Sequence, residues 1–283
     1  MSDSLVSIIV PTFNEEKNIE RLLISIKNQN FKNIETLVVD DGSSDKTVDI
    51  AKRYSSDVYE RTHAERSVQR NFGASKAHGD YLLFLDADME LSPEVIKDCV
   101  ETIINLKVKV LTIPERTVGG GFLPGVRRFE REMYMEEPDY EVPRFFERRL
   151  FFEYGGYDKR ITGPEDYDLP YRIGKKNKIG RISEYIFHHE EGLTLKKQLS
   201  KKYYYAKSGA FYASKHPRLV WVQGTILFRR VYLKHWRKFL QHPVLGISFI
   251  VVRFLETIWA IIGFISAVGI FTFLKMSFTI LKK

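Results

Sequence analysis

The feature that most constrains this chain is an alternation running through its first 113 residues. Short apolar runs stop at acidic or loop-forming residues and are separated by segments whose apolar residues recur at helical spacing. Leu5–Val10 stops at Pro11, Ile34–Val39 at Asp40-Asp41-Gly42, and Tyr81–Leu85 at Asp86-Ala87-Asp88. Short runs of this mostly apolar kind suit parallel strands covered on both faces. Between the first two, Ile19, Leu22, Leu23 and Ile26 mark a helix, with Asn14-Glu15-Glu16 as its expected cap and first-turn acids. Helices over Thr47–Tyr54, Glu65–Ala77 and Pro93–Asn105, with strands at Val58–Glu60 and Val108–Ile113, continue the pattern. The spacing predicts an α/β fold, a doubly wound and mostly parallel sheet with helices on both faces.

Such sheets bind ligands beyond the carboxyl ends of their strands, which here are Pro11–Glu15, Asp40–Ser43 and Asp86–Asp88. No Gly-x-Gly-x-x-Gly follows the first strand and no Gly-x-x-x-x-Gly-Lys-Ser/Thr occurs, so a glycine loop around a diphosphate is disfavoured. Asp86 and Asp88, two carboxylates at a strand's exit with the small Ala87 between them, offer hard oxygen ligands suited to Mg²⁺ or Mn²⁺. Acids in that position also cap helices, so the pair by itself is weak. Further along, Gly155-Gly156-Tyr157-Asp158 signals a tight turn, and Glu165-Asp166 falls in the first turn of a helix running to about Lys175. A carboxylate at a helix N-terminus can face a cleft and take a proton from an attacking hydroxyl; it can equally be a helix cap.

In order, Ser7-Ile8-Ile9-Val10-Pro11-Thr12-Phe13-Asn14-Glu15, Val38–Asp45, Arg70-Asn71-Phe72-Gly73, Phe84–Asp88, Gly155-Gly156-Tyr157 and Glu165–Leu169 resemble the motif set of the family 2 glycosyltransferases. These are inverting enzymes of the GT-A fold that use nucleotide-activated sugars, and the resemblance covers roughly residues 5–190. It implies that Pro11, Thr12 and Glu15 line the nucleoside pocket, that Asp41 accepts hydrogen bonds from the base, and that Arg70 lies near the base or the diphosphate. Asp86 would reach the ribose or the metal's water shell, and Asp88 would bind the Mn²⁺ or Mg²⁺ that bridges the phosphates of a UDP- or GDP-sugar. Asp166 would be the catalytic base and Glu165 would help to bind the acceptor. A late-strand histidine completing the metal site matches His188, at the end of a strand read at Glu184–Phe187, with His189 as the alternative. The sequence departs from the pattern at Met89-Glu90, which leaves the sugar-facing wall open, and over Pro114–Phe146. That segment sets Gly119-Gly120-Gly121 before Arg127, Arg128 and Arg131, and reads either as a mobile loop or as an idle surface excursion.

The net charge of +8 suggests nucleic acid until it is resolved by segment. Residues 1–195 hold 28 Lys+Arg against 35 Asp+Glu, whereas residues 196–238 hold 12 Lys+Arg and no acid. In that basic stretch Tyr203–Tyr205, Trp221, Phe228, Tyr232 and Trp236 are interleaved with the cations, a composition suited to helices on an anionic membrane surface. The chain then turns apolar over Val244–Val252, is interrupted by Arg253 and Glu256, and resumes over Thr257–Leu274 before Lys275, Lys282 and Lys283. This run fits a single span, a shallow hairpin, an interfacial helix or a buried core helix. Its apolar continuation favours lipid over nucleic acid.

Three segments are expected: a GT-A catalytic domain over 1–192, with a nucleotide-sugar half to about 113 and an acceptor half from 114, basic juxtamembrane helices over 193–242, and a hydrophobic anchor over 243–283. The single Cys99 excludes an internal disulfide and a multi-cysteine zinc site, and fits a reducing compartment. With no basic and apolar leader at the N-terminus, the expected place is the cell membrane with the catalytic domain on its cytoplasmic side. The reading is a metal-dependent, hexosyltransferase-type enzyme acting on a hydroxyl of a lipid-linked or other membrane-associated glycan. Its alternatives are transfer to a polyprenyl phosphate and, from another class, a non-catalytic membrane-surface binding protein.

Overall fold

The computed structural model describes residues 4–135, 137, 140–216 and 229–270. It divides into two compact units. The first holds the described residues to Val118, Met135–Lys159 and Glu165–His189; the second holds Gly119–Tyr134, Arg160–Pro164 and the described residues from Glu190 onward.

The first unit opens with β1 (Val6–Thr12), α1 (Ile19–Lys27), β2 (Ile34–Asp40), α2 (Thr47–Tyr54), β3 (Asp57–Glu60), α3 (Arg66–Lys76), β4 (Tyr81–Phe84), β5 (Met89–Leu91), α4 (Val95–Leu106), β6 (Val110–Thr112) and β7 (Glu115–Val118). After α5 (Phe122–Tyr134), which belongs to the second unit, it continues with β8 (Pro143–Glu147), α6 (Arg148–Glu153), α7 (Glu165–Gly174), β9 (Ile179–Arg181) and β10 (Ile186–His189). The main sheet runs β3-β2-β1-β4-β8-β6-β9. Its pairs are parallel except those made by β8, which is antiparallel to both β4 and β6. A smaller sheet has the order β5-β10-β7.

Every residue of β1 is buried, because successive side chains enter opposite cores. Val6, Ile8 and Val10 pack with Leu22, Leu23 and Ile26 of α1 and with Ile96, Cys99 and Ile103 of α4. Ile9 packs on the other face with Ala74, Phe146, Phe151, Tyr157, Leu169 and Ile173. The α/β reading of the sequence therefore holds, with helices on both faces of a mostly parallel sheet. Helix α3 lies so close to the sheet that a Cβ on Gly73 would come within 2.5 Å of Ile9 Cγ2.

Three local expectations are corrected. Asn14-Glu15-Glu16 does not cap α1; Asn14 adopts φ 54°, a left-handed conformation that asparagine tolerates. Its Oδ1 accepts from Ser44 N at 2.9 Å, and the cap falls to Asn18. The strand read at Glu184–Phe187 starts two residues later, where Ile186 N donates to Pro114 O at 2.9 Å and continues along β7, so both His188 and His189 lie inside β10. The segment over Pro114–Phe146 is neither a loop nor an excursion. It supplies β7, α5 and β8, and Phe145 and Phe146 enter the two cores on opposite faces.

The second unit contains α5 followed by α8 (Leu195–Lys207), α9 (Gly209–Lys215), α10 (Arg230–Lys234), α11 (Trp236–Gln241) and α12 (Pro243–Val268). Helix α12 passes unbroken through Arg253 and Glu256, so the hairpin reading, which turns the chain there, is corrected. Both charges are paired on one face, which removes the reason for a break. Trp221, Phe228 and the expected apolar run beyond Ile270 lie outside the described residues.

Candidate active site

The carboxyl ends of β1, β2 and β4 lie along one edge of the sheet, because the three strands are adjacent and parallel. At the first two, Asp40 closes the turn after β2. Its Oδ2 accepts from Gly42 N at 3.0 Å and Ser43 N at 2.8 Å, with Gly42 at φ 82°. Asp41 is buried; its N–H donates to Thr12 O at 2.9 Å, its Oδ1 accepts from Ala64 N at 2.6 Å, and its Oδ2 lies 2.5 Å from His63 Nδ1. His63 and Phe13 are exposed and stand with ring centroids 5.7 Å apart. The buried Thr12 hydroxyl has no hydrogen-bond partner among the described residues. Glu15 receives Asn18 Nδ2 at 2.7 Å, and its own N–H donates to Thr47 Oγ1 at 2.7 Å. Pro11 lies in β1 opposite Val39.

Beyond β4 the charges converge. Arg70 is completely buried on α3 and pairs with Asp86 at 2.7 Å, with Asp166 and with Glu165 at 3.7 Å. Arg66, one helical turn earlier on the same face, reaches Glu165 at 3.2 Å and Asp86 at 3.9 Å. From the antiparallel β8, Arg144 approaches Asp86 at 3.6 Å and binds Glu115 at 2.7 Å. Glu115 then meets His188 Nδ1 at 3.2 Å, and His188 Nε2 meets Asp88 Oδ2 at 3.1 Å. His189 instead faces Glu90 at 2.7 Å, and Met89 is buried in β5.

The electrostatics follow from this packing. Burial works to raise the Asp86 pKa, but Arg70, Arg144 and Arg66 outweigh it and hold the carboxyl well below its usual range. Glu165 is pushed up, first by burial and then by the neighbouring Asp166, against the opposing pull of Arg66 and Arg70. Burial also raises the Tyr157 phenol, whose ring has the Arg70 guanidinium 5.4 Å from its centroid.

The glycine turn before α7 is fastened from two sides. Asn71 brackets Tyr157, donating to its carbonyl at 2.8 Å and accepting from its N–H at 3.0 Å. Arg172 donates to the carbonyls of Tyr154 and Gly156 while its Nε binds Asp168 at 2.8 Å. Gly156 has φ 66°, and a Cβ there would lie 2.6 Å from Asn71 Oδ1. The turn thus fixes where α7 begins, and with it Glu165 and Asp166, whose charge is favourable at a helix N-terminus.

Among the sequence candidates, Arg70, Asp86, Glu165 and Asp166 are in direct contact, and Asp88 and His188 join them through Glu115 and Arg144. Thr12, Asp41 and Glu15 form a separate group at the ends of β1 and β2. The site also includes Arg66, Glu115, Arg144, Phe13 and His63, which carried no assigned role. Arg66 was legible as the residue four before Arg70; Glu115 and Arg144 belong to no local motif. For a divalent ion the donor set is one carboxylate and one imidazole, Asp88 and His188, a mixture that suits Mn²⁺ completed by water and phosphate oxygens. No group of three or more His, Cys, Asp or Glu side chains able to hold an ion occurs among the described residues.

The profile of "Glycosyl transferase family 2" matches residues 7–174, more than half of the chain. The chain belongs to that family. This family 2 protein is 34% identical over 126 residues to the poly(ribitol-phosphate) beta-N-acetylglucosaminyltransferase TarS of Staphylococcus aureus, a stretch covering 42% of this chain and 22% of TarS. It is 37% identical over 124 residues to a dolichol-phosphate mannosyltransferase of Pyrococcus furiosus, covering 41% of this chain and 34% of that protein. The matches thus span 22% and 34% of these relatives' own lengths. The crystal structure of TarS 1–349 with UDP-GlcNAc superposes with a TM-score of 0.56 at 23% identity, covering 72% of this chain and 66% of the other. The Pyrobaculum calidifontis mannosyltransferase PcManGT, in complex with GDP-Man and Mn²⁺, superposes with a TM-score of 0.58 at 17% identity, covering 94% and 76%. At such identities the structural likeness establishes the fold, which is of GT-A type.

Proposed function

We propose that this family 2 protein is an inverting glycosyltransferase that moves a sugar from a uridine or guanosine diphosphate donor to a hydroxyl of a membrane-associated, lipid-linked glycan. The observation that carries the proposal is the double grip of Arg70, one guanidinium holding both Asp86 and Asp166. It ties the carboxylate expected at the donor to the carboxylate expected to take the acceptor's proton. The nucleoside would sit at the ends of β1 and β2, with its base at Asp41, the Thr12 hydroxyl as a further polar contact, and Phe13 with His63 offering an exposed aromatic face. Complexes of the structural relatives with UDP-GlcNAc and with GDP-Man support a nucleotide sugar and leave both bases open.

Asp88 and His188 would hold a divalent ion, and such an ion would offset negative charge developing on the leaving diphosphate. Asp166 is tethered through Oδ1 to Arg70 at the start of α7 and takes the proton of the attacking hydroxyl. Arg66 and Arg70 keep Glu165 in place beside it. Inversion by a single displacement needs one base and no protein nucleophile. The apolar helix α12 and the basic helices before it support a membrane-associated acceptor.

The relative named as a dolichol-phosphate mannosyltransferase favours a second reading, transfer to a polyprenyl phosphate. That acceptor is already ionised and has no proton to lose. Two measurements decide. Thermal shifts with Mn²⁺ and UDP or GDP should raise the melting temperature for one base, and a null result with both overturns the donor reading. Asp166→Asn should then abolish transfer to a hydroxyl; near-normal turnover would leave the phosphate acceptor as the working reading.

A further inference from the structure

We infer that α12 lies in the plane of an anionic membrane, sunk into one leaflet along its outer face, and does not cross the bilayer. The inference rests on the reading that the C-terminal helices meet a membrane and specifies how they do so. By length and composition α12 is able to span: 26 apolar-rich residues make a rod of about 39 Å. Its two faces decide otherwise.

The inner face carries Gly246, Phe249, Val252, Arg253, Glu256 and Gly263, all buried against other helices of the second unit. Arg253 pairs with Glu130 of α5 and with Glu256. Arg127 of α5 binds Glu256 at 3.0 Å and Glu130 at 2.8 Å, and Gln198 of α8 donates to Glu256. The attachment continues along the rod. A Cβ on Gly125 of α5 would meet Leu245, one on Gly263 would fall 2.3 Å from the Tyr203 carbonyl of α8, and Phe264 lies against Gly209 of α9. A perpendicular α12 would therefore carry α8 into the hydrocarbon beside it. Helix α8 bears Lys196, Lys197, Lys201, Lys202 and Lys207, and lysines at mid-membrane depth are strongly unfavourable.

The outer face is apolar from end to end. Ile247, Phe254 and Ile261 recur every seven residues and are exposed, with Val244, Ile250 and Val251 beside them. Leu233, Trp236 and Leu240 on α10 and α11 extend the same apolar surface, and a groove of about 640 Å³ lies between Trp236, Phe249, Ile250 and Phe254. The charge around it selects the lipid. Helices α10 and α11 carry Arg230, Lys234, Arg237 and Lys238, and no acidic residue occurs from Gly192 to Leu255. Cations next to an apolar helix face, with a tryptophan between them, fit the headgroup boundary of an anionic leaflet.

The test uses the full chain and vesicles of phosphatidylcholine with phosphatidylglycerol. Single cysteines at Ile247→Cys, Phe254→Cys and Ile261→Cys are labelled with an environment-sensitive fluorophore; the native Cys99 is fully buried and serves as the unlabelled control. Quenching by lipids brominated at different chain positions then reads depth. The in-plane reading expects equal, shallow depths at all three sites and at least tenfold weaker binding to pure phosphatidylcholine. A profile in which position 254 is deepest, with 247 and 261 shallow, overturns the in-plane reading and keeps the membrane. Absence of cosedimentation overturns both, and a dimer by light scattering would then assign the apolar face to a second copy of the chain. Ile250→Glu with Phe254→Glu should abolish vesicle binding and keep the nucleotide-induced thermal shift, which shows that the variant still folds.

Discussion

Arg70 and Arg253 are both buried guanidiniums, 0% and 4% exposed, and each clasps more than one carboxylate. Around Arg70 Glu165 is sealed, but the other acids keep an open side: Asp86 and Asp166 retain 19% and 13% exposure, and Asp88, linked through His188 and Glu115, retains 32%. Around Arg253 they do not, since Glu130 and Glu256 are sealed between α5, α8 and α12. The first cluster lies beyond the end of β4 and leaves charged carboxylates accessible. The second cancels charge inside a helical layer, where an unpaired carboxylate would be costly. Similar ionic chemistry thus leaves charge accessible at one place and seals it as attachment at the other, and what separates them is whether a face is left open.

Breaking one cluster should cost function and breaking the other should cost stability. The largest effect is expected from Asp166→Asn, which lowers kcat for a hydroxyl acceptor about 10³-fold, the scale of a lost general base, while nucleotide affinity measured by calorimetry stays near that of the parent. Next, Glu256→Ala should destabilise the protein by about 3–5 kcal/mol in urea titration, because Arg253 loses one of its buried counter-charges. The folded fraction should keep its kcat; a fall there would show that the second cluster is more than attachment.

Smaller effects sharpen the distinction. Glu115 holds His188 through Nδ1 and so turns Nε2 toward Asp88. Glu115→Ala should weaken Mn²⁺ binding about tenfold, read from the electron paramagnetic resonance of free Mn²⁺ with nucleoside diphosphate present. An unchanged affinity would remove Glu115 from any orienting role. The smallest change is expected at Lys202, which burial lowers from its ordinary 10.5 to about 8 despite the pull of Glu256. Between those values the unfolded chain holds a proton that the folded chain has released, so stability rises with pH from about 8 to 10.5. Below pH 8 both states hold it and the penalty is complete. Since 32% of the side chain remains exposed, solvent screens the effect, and Lys202→Met should add only about 1 kcal/mol at pH 7 while flattening that rise.

Much of the fold could be read because its central strands are short, largely apolar and stopped by characteristic residues, a signal that depends on neighbours in sequence. The same holds for Asp86, Asp88 and Asp166, each placed by the strand end or helix start beside it. Arg144 and Glu115 were not legible, since β8 and β7 bring them to the site from a segment with no local motif. Asn14 misled for the opposite reason: its side chain bonds to a loop 30 residues away rather than to the helix it precedes.

By itself, the sequence determined the alternating sheet, the order of the motif-bearing loops and the separation of an acidic body from a basic, apolar tail, because these depend on composition and periodicity along the chain. Tertiary structure alone decided which carboxylates share a guanidinium, which histidine meets Asp88, and that Arg253 and Glu256 do not interrupt α12. Each of those outcomes rests on partners distant in sequence, and a charge inside an apolar run reads as a break until its counter-charge is found.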